Sequence, residues 1–360
     1  MRQIHQILPF LAYEDAIGNH VLEIRRWLRQ WGYRSEIFVE GCDTPLTKEC
    51  HPYEEYKNFS SAENLLILHY SVGGSVNRYV RQVPDQVVIY YHNITPAHFF
   101  YQSNGHLARQ LAEARRDLKV LAGKVPAIAD SPYNALELKE LGFKILGIVP
   151  PVLALGRLNV GPSKSISIQV TPRFTKPEGY HDWLFVGRIV PNKCIQDIIK
   201  SFYYYHTWID SQSRLLLVGG TEIAQTYFDE IQHLVKQLNF SQSVIFTGHV
   251  TDQELVSIYH TTDLYVSMSE HEGFGVPIVE AMYCGIPVLA YASTSVPDTM
   301  GNAGILIQKK NYSVIAELAY EMICNPGFRA RLVQTGKERV KNFSQTLLSA
   351  QFLSCLEKLG

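Results

Sequence analysis

The chain is expected to fold as α/β, with two doubly wound parallel sheets built from separate halves of the sequence. Three observations predict this. Residues 1–152 alternate short apolar runs with amphipathic segments, and residues 153–178 interrupt that alternation with a polar stretch rich in Pro, Gly and Ser. From Trp183 the alternation restarts. Strand–helix alternation is the pattern of a parallel sheet covered by helices. A length of 360 residues, 46% of them apolar and 19% charged, suits a globular chain with two sizeable cores.

In the first half, strands are expected at Ile4–Phe10, Ser35–Val39, Leu65–His69, Val87–Tyr91, Ala127–Ala129 and Ile145–Val149, each a compact apolar run. Helical periodicity lies between them at His20–Gln30, Val76–Gln82, Leu107–Leu121 and Asn134–Leu141. The stretch 153–178 reads as an interdomain linker, with "SISIQV" (165–170) a weaker strand candidate inside it.

The second half, 179–343, opens with the strand "WLFVG" and a helix near Ile195–Tyr204. It continues through "RLLLVGG", a helix over Ala224–Leu238, "SVIFTGHV", a helix over Asp252–His260 and the strand Leu264–Met268. "IPVLAY" and "AGILI" close the sheet, Val314–Cys324 and Phe328–Asn342 are helical, and an amphipathic helix over Thr346–Leu359 fills the tail 344–360.

The most informative segment starts at Ser269 and reads "SEHEGFGVPIVEAMYCGIPVLA". The preceding strand ends in acids and a glycine turn (Gly273, Gly275), and Pro277 sits where a first helical turn begins. Such a turn brings backbone N–H groups close to a phosphate at the positive end of a helix. Glu272 and Glu280, with seven residues between them, place one acid in the turn and one a turn into the helix. An ordinary αβ unit explains the glycines and Glu272 but leaves Glu280 unexplained. A second segment, "WLFVGRIVPNKCIQD", puts Arg188 after a strand and Gly187, with Lys193 five residues later in the same loop. Two fixed cations at a strand's carboxyl end are placed to hold a diphosphate, although most loop Arg and Lys residues are simply solvated.

Together these motifs resemble the retaining glycosyltransferases of family 4, which have the GT-B fold. That resemblance implies two Rossmann-like domains facing each other across a cleft, the last helix returning to the N-terminal domain. It also implies a nucleoside diphosphate sugar as donor, with UDP favoured over GDP. Arg188 and Lys193 would hold the diphosphate, Glu272 the transferred sugar and Glu280 the ribose hydroxyls. Backbone groups of Gly187, Phe274, Gly275 and Val276 would face phosphates or sugar, and those around Val250 the nucleobase. In the first half, "HNITP" resembles enzymes that assemble bacterial surface polysaccharides and marks His92 as a candidate catalytic residue near the sugar. Gly18 would bring the first loop to the donor, with Asp15 and His20 beside it. Asn19 and His20 depart from the double glycine of many family members. The acceptor would be a saccharide or lipid-linked saccharide. With no D-x-D pair in the sequence, no metal and no other cofactor are expected.

Other classes fare less well. Lys plus Arg number 33 against 34 for Asp plus Glu, a net charge of −1, which argues against a nucleic-acid binder. Neither half has G-x-G-x-x-G after its first strand, so a dinucleotide oxidoreductase is a poor fit. A non-hydrolysing sugar-nucleotide epimerase and a catalytically silent nucleotide-sugar binder remain as alternatives. The six cysteines are scattered without C-x-x-C spacing, which suits a reducing compartment. No apolar stretch is long enough to span a bilayer, and the N-terminus reads as a strand. The expected location is cytoplasmic, with peripheral contact at the inner membrane face as one reading of two basic amphipathic segments. These carry Arg25, Arg26 and Arg29 beside Trp27 and Trp31, and Arg109, Arg115, Arg116, Lys119 and Lys124. A solvated helix face explains the same pattern equally well.

Overall fold

The expected alternation is realised as two parallel sheets in a computed structural model that describes residues 2–13, 15–158 and 174–359. The chain divides into one unit of Met1–Tyr101, Gly105–Leu153 and Phe343–Gly360, and another of Gln102–Asn104 and Ala154–Asn342. The "SISIQV" strand candidate and most of the expected linker lie outside the described residues.

The first unit holds β1 (Ile4–Leu11), α1 (Ala16–Gln30), β2 (Ile37–Cys42), β3 (His51–Pro52), β4 (Leu65–Tyr70), α2 (Ser75–Tyr79) and β5 (Gln86–Tyr91). It continues through α3 (Gly105–Leu121), β6 (Ala127–Ala129), α4 (Pro132–Glu140) and β7 (Ile145–Ile148). The strand order is β3-β2-β1-β4-β5-β6-β7, all parallel. Helices cover both faces, which is why β4 reads as an unbroken buried run instead of an alternating one. α1 starts four residues before the sequence pattern suggests, because the Asp15 carboxylate accepts from the Ile17 amide at 3.0 Å and caps it.

The second unit holds β8 (His181–Val186), α5 (Ile195–Trp208), β9 (Ser213–Val218), α6 (Gln225–Gln237), β10 (Val244–Gly248), α7 (Asp252–Thr261) and β11 (Leu264–Ser267). After these come α8 (Val276–Tyr283), β12 (Val288–Tyr291), α9 (Val296–Met300), β13 (Ile305–Ile307), α10 (Tyr312–Cys324) and α11 (Pro326–Val340). The order is β10-β9-β8-β11-β12-β13, again parallel. Chain direction across the sheet reverses between β8 and β11, and open α/β sheets bind ligands beyond the carboxyl ends of the strands at such a switch point. Both motifs singled out in the sequence follow these two strands.

The last helix, α12 (Gln345–Glu357), belongs to the first unit. Its Leu348, Phe352, Cys355 and Leu356 share one core cluster with Ile4, Trp27, Leu65 and Tyr90. Phe352 stacks on Trp31 with ring centroids 6.1 Å apart. At Gly147 an added Cβ would lie 2.5 Å from the Cys355 sulfur, so only glycine lets the helix sit this close to β7. Trp27 and Trp31 of the basic first segment thus serve this core, and Arg25, Arg26 and Arg29 pair with Glu49, Glu23 and Glu36.

Candidate functional site

The loops after β8 and β11 meet at the switch point of the second sheet. β8 is followed by Gly187, with φ of 150°, and then by Arg188, exposed to solvent and without an ion pair to any described residue. The chain then makes a short 3-10 turn, Pro191–Lys193, and α5 starts after Cys194 in the left-handed conformation (φ 50°). From this turn Lys193 Nζ donates to both carboxylate oxygens of Glu272, at 2.6 and 2.7 Å. Asn192 fastens the two loops together: its Nδ2 donates to the His271 carbonyl at 3.0 Å, and its carbonyl accepts from the Glu270 amide at 2.9 Å.

Glu272 is held through its backbone as well. The Thr294 hydroxyl accepts from the Glu272 amide at 2.9 Å and donates to the Glu272 carbonyl at 3.0 Å, and the Ser295 hydroxyl donates to the same carbonyl. Thr294 has φ of 44°. Asn93, Cys194, Asn239 and Thr294 are the non-glycine residues with positive φ among those described. Three of them adjoin His92, adjoin Lys193 or grip Glu272. Unfavourable backbone persists where the surrounding structure over-determines it, and it clusters at functional sites.

Gly275 caps α8 with φ of 92°, Val276 and Pro277 open the helix, and the Ile278 amide donates back to the Gly275 carbonyl at 3.0 Å. Phe274 is buried, its carbonyl accepting from the Thr299 hydroxyl at 2.5 Å. Glu280 is buried on α8, with Oε1 accepting from Arg157 at 2.8 Å and Oε2 from the Tyr259 hydroxyl at 2.9 Å. Burial, and then the Glu280 charge, raise the Tyr259 phenol well above its ordinary range, so it stays a donor. Val250 is half-buried in the turn after β10, next to the exposed His249.

In the first unit, His92 follows β5 but its ring is turned inward, the side chain 2% exposed. Its Nε2 meets His69 Nδ1 at 3.0 Å, and its Nδ1 faces Asp130 Oδ2 at 3.6 Å. His69 Nε2 in turn meets Gln6 Oε1 at 2.9 Å, and Gln6 Nε2 donates to the Val21 carbonyl. Because the Gln6 amide is oriented by that carbonyl, its oxygen takes the proton of His69 Nε2. His69 Nδ1 is left to accept from His92. Burial, and then the neighbouring His92, hold His69 well below the usual histidine value, and His20 likewise. Burial raises the Asp130 carboxyl.

The nitrogens of His20, His69 and His92 lie within 4.8 Å of one another, as metal ligands would. His20 Nδ1, however, accepts from the Val152 amide at 3.0 Å, so its Nε2 carries the proton and offers no lone pair. A second group, Cys194, Asp197 and Glu270, already surrounds a cation: Lys310 Nζ donates to Asp197 and to Glu270 at 2.8 Å each. Gly18 is explained by packing, since a Cβ there would lie 2.2 Å from the Ala12 carbonyl oxygen. Asp15 caps α1 and His20 is fully buried.

The structure thus brings Gly187, Arg188, Lys193, Glu272, Gly275, Val276 and Glu280 to the loops and helix start beyond one switch point. Sequence reasoning missed the side chains that hold them: Asn192, Thr294, Ser295, Tyr259 and Arg157. It also missed the partners of His92, for which the one available signal was a histidine ending the apolar run "LLILH".

Comparison with known proteins bears on the fold and on the sequence of the second unit. Residues 169–339 match the family model described as glycosyl transferases group 1. The O-antigen chain mannosyltransferase B of Escherichia coli is 26% identical over 178 residues, 49% of this chain and 45% of that protein. The capsular polysaccharide biosynthesis glycosyltransferase CapM of Staphylococcus aureus is 30% identical over 184 residues, 48% of this chain and 46% of that protein. The chain thus spans slightly less than half the length of these curated relatives. Among solved structures, sucrose-phosphate synthase from Thermosynechococcus elongatus superposes with a TM-score of 0.77 at 20% identity, covering 99% of both chains. Anabaena HepE in complex with UDP-glucose gives 0.76 at 17% identity, covering 98% of this chain and 99% of that one. The two Rossmann-like units are those of the GT-B fold, and the sequence from 169 to 339, which carries the Arg188–Lys193 loop and the Glu272–Glu280 motif, is similar to the group 1 glycosyltransferases over just under half of the chain.

Proposed function

We propose that this protein is a retaining, family 4-like glycosyltransferase. It moves a hexose from a nucleoside diphosphate sugar to a saccharide or lipid-linked saccharide in surface polysaccharide synthesis. The observation that carries the reading is the Lys193–Glu272 pair beside the exposed Arg188 at the switch point. UDP is favoured over GDP as the carrier, and the HepE neighbour holds UDP-glucose on the same fold. The relatives named for O-antigen and capsular polysaccharide support the product class.

In this reading the donor diphosphate takes Lys193 from Glu272, and Arg188 joins it, so that two cations face the leaving group. The released Glu272 carboxylate turns to the sugar hydroxyls, and Glu280 accepts from the ribose. The bond between the anomeric carbon and the diphosphate oxygen breaks, and the acceptor oxygen bonds to that carbon on the same face. The acceptor's proton leaves with the diphosphate. Negative charge grows on the diphosphate as this happens, so fixed cations and helix N-termini stabilise the transition state more than the substrate. They supply the charge a metal would otherwise provide, and turnover is expected without a divalent ion. His92 turns its two ring nitrogens to His69 and Asp130. The protein would work in the cytoplasm, at the inner membrane face where a lipid-linked acceptor resides.

The test is incubation of the full chain with UDP-hexoses and GDP-mannose in EDTA, with and without lipid-linked saccharides. Acceptor-dependent release of nucleoside diphosphate, with the product's anomeric configuration matching the donor's by NMR, is the expected result. Release without acceptor, an inverted anomer, or epimerised donor would each overturn it.

A further inference from the structure

Glu280 does not stand alone. Arg157, on the short 3-10 turn Leu155–Leu158, reaches it through Nη2, while Nη1 donates to Asp252 Oδ1 at 2.7 Å. Asp252 is the first residue of α7 and follows directly on the turn that holds Val250. One guanidinium thus ties the helix carrying the ribose carboxylate to the helix behind the nucleobase turn. Its Nε–H is buried and has no hydrogen-bond partner among the described residues. In the planar guanidinium fork Nε–H and one Nη2–H project along the same edge, and Nη2 is the nitrogen that reaches Glu280. The carboxylate has spent one acceptor position on each oxygen, on Arg157 and on Tyr259, out of about four. The pair thus keeps an unused donor on one partner and unused acceptors on the other. The ligand group that satisfies both through a single oxygen is a hydroxyl.

We propose that Arg157 is a nucleoside-reading residue: its Nε–H donates to the ribose hydroxyl whose own proton is taken by Glu280 Oε1. The second hydroxyl of the diol donates to Oε2. This rests on the reading of the Arg188–Glu280 region as a nucleoside diphosphate site. Its consequence is a preference for ribose over deoxyribose that depends on an arginine far away in sequence. Lysine keeps the charge but lacks the fork, so Arg157→Lys separates the hydroxyl contact from simple charge balance.

The experiment is calorimetric titration of the full chain with UDP, 2′-deoxy-UDP and 3′-deoxy-UDP, and with the GDP counterparts. The natural protein is expected to bind one of the deoxy forms about tenfold more weakly than the ribonucleotide, the scale of one lost hydrogen bond. Arg157→Lys should lose that preference by weakening the ribonucleotide alone. Asp252→Asn, which leaves the Nε–H in place, should keep it. Full discrimination in Arg157→Lys, or none in the natural protein, would overturn the inference while leaving the nucleotide site standing. Absence of binding to any nucleoside diphosphate would sink the site reading and the inference together. If the lysine variant does not fold, Arg157→Gln takes its place in the same titration: loss of the preference supports the inference and full discrimination overturns it.

Discussion

Lys193 Nζ sits between the two carboxylate oxygens of Glu272, 2.6 and 2.7 Å from them. The cation proposed for the diphosphate and the acid proposed for the sugar are each other's partners. The pair is only partly exposed, and neither side chain is left buried without a partner of opposite sign.

Lys193→Ala removes the cation and leaves Glu272 facing the incoming diphosphate. Turnover is expected to fall by about 10²-fold or more, with Arg188→Ala losing a similar amount, the scale of one electrostatic donor to a developing charge. Steady-state kinetics with saturating donor checks this, and near-natural rates in both variants would remove the loop from the chemistry. Glu272→Gln should lower turnover while leaving nucleoside diphosphate affinity nearly unchanged, because in this reading the acid serves the sugar and not the diphosphate.

The Arg188 loop also depends on a glycine outside it. At Gly219, where φ is 137°, an added Cβ would lie 2.2 Å from the Gly187 carbonyl oxygen. Gly219→Ala should cost roughly 1–3 kcal/mol of stability from backbone strain alone and should displace the turn that carries Arg188. Thermal unfolding together with nucleotide titration measures both effects. A variant of natural stability and natural affinity would show that the turn tolerates the shift.

Acid should loosen the first unit. Burial, and then the Arg34 charge, lower His5 from 6.5 to about 4, and burial lowers His20 and His69 as well. These groups stay neutral in the folded chain while the unfolded chain takes up protons below about pH 6.5, so the unfolded state binds more protons as the pH falls. Stability that is full above pH 6.5 is therefore expected to decline toward pH 4. Denaturant unfolding at stepped pH tests this, and His5→Gln should flatten part of the slope.

How much of this was legible beforehand differs from residue to residue. Strands such as Leu65–Tyr70 and helices such as α3 declare themselves through local periodicity, and their observed bounds lie within a residue or two of expectation. α1 began early because a cap at Asp15 outweighs the apolar pattern, and β3 is two residues long, too short to have a pattern. The short helix α9, Val296–Met300, was not anticipated either, for the same reason. In the site, the motif residues could be picked out because their spacing along one loop and one helix is local. Arg157 could not, since it lies 123 positions from Glu280 inside a polar stretch that reads as linker. The Lys193–Glu272 pairing, 79 positions apart, is likewise a product of strand order and not of sequence distance.

Phe352 is fully buried against Trp27, Trp31 and Tyr90. Phe352→Ala should destabilise the first unit by about 3–5 kcal/mol through the cavity it leaves. Two-step unfolding, with the first unit melting early, is the expected trace by calorimetry. A single unshifted transition would show that α12 contributes little.

That helix also dictates a schedule. The opening Rossmann-like unit lacks a wall of its core until the final turns of the chain have been made, whereas the segment 174–342 has all its strands and the helices between them in hand beforehand. During synthesis the later half is thus positioned to mature first. The earlier half waits with Trp27 and Tyr90 uncovered, so cutting the chain near Leu153 would part the first sheet from the helix that completes its core.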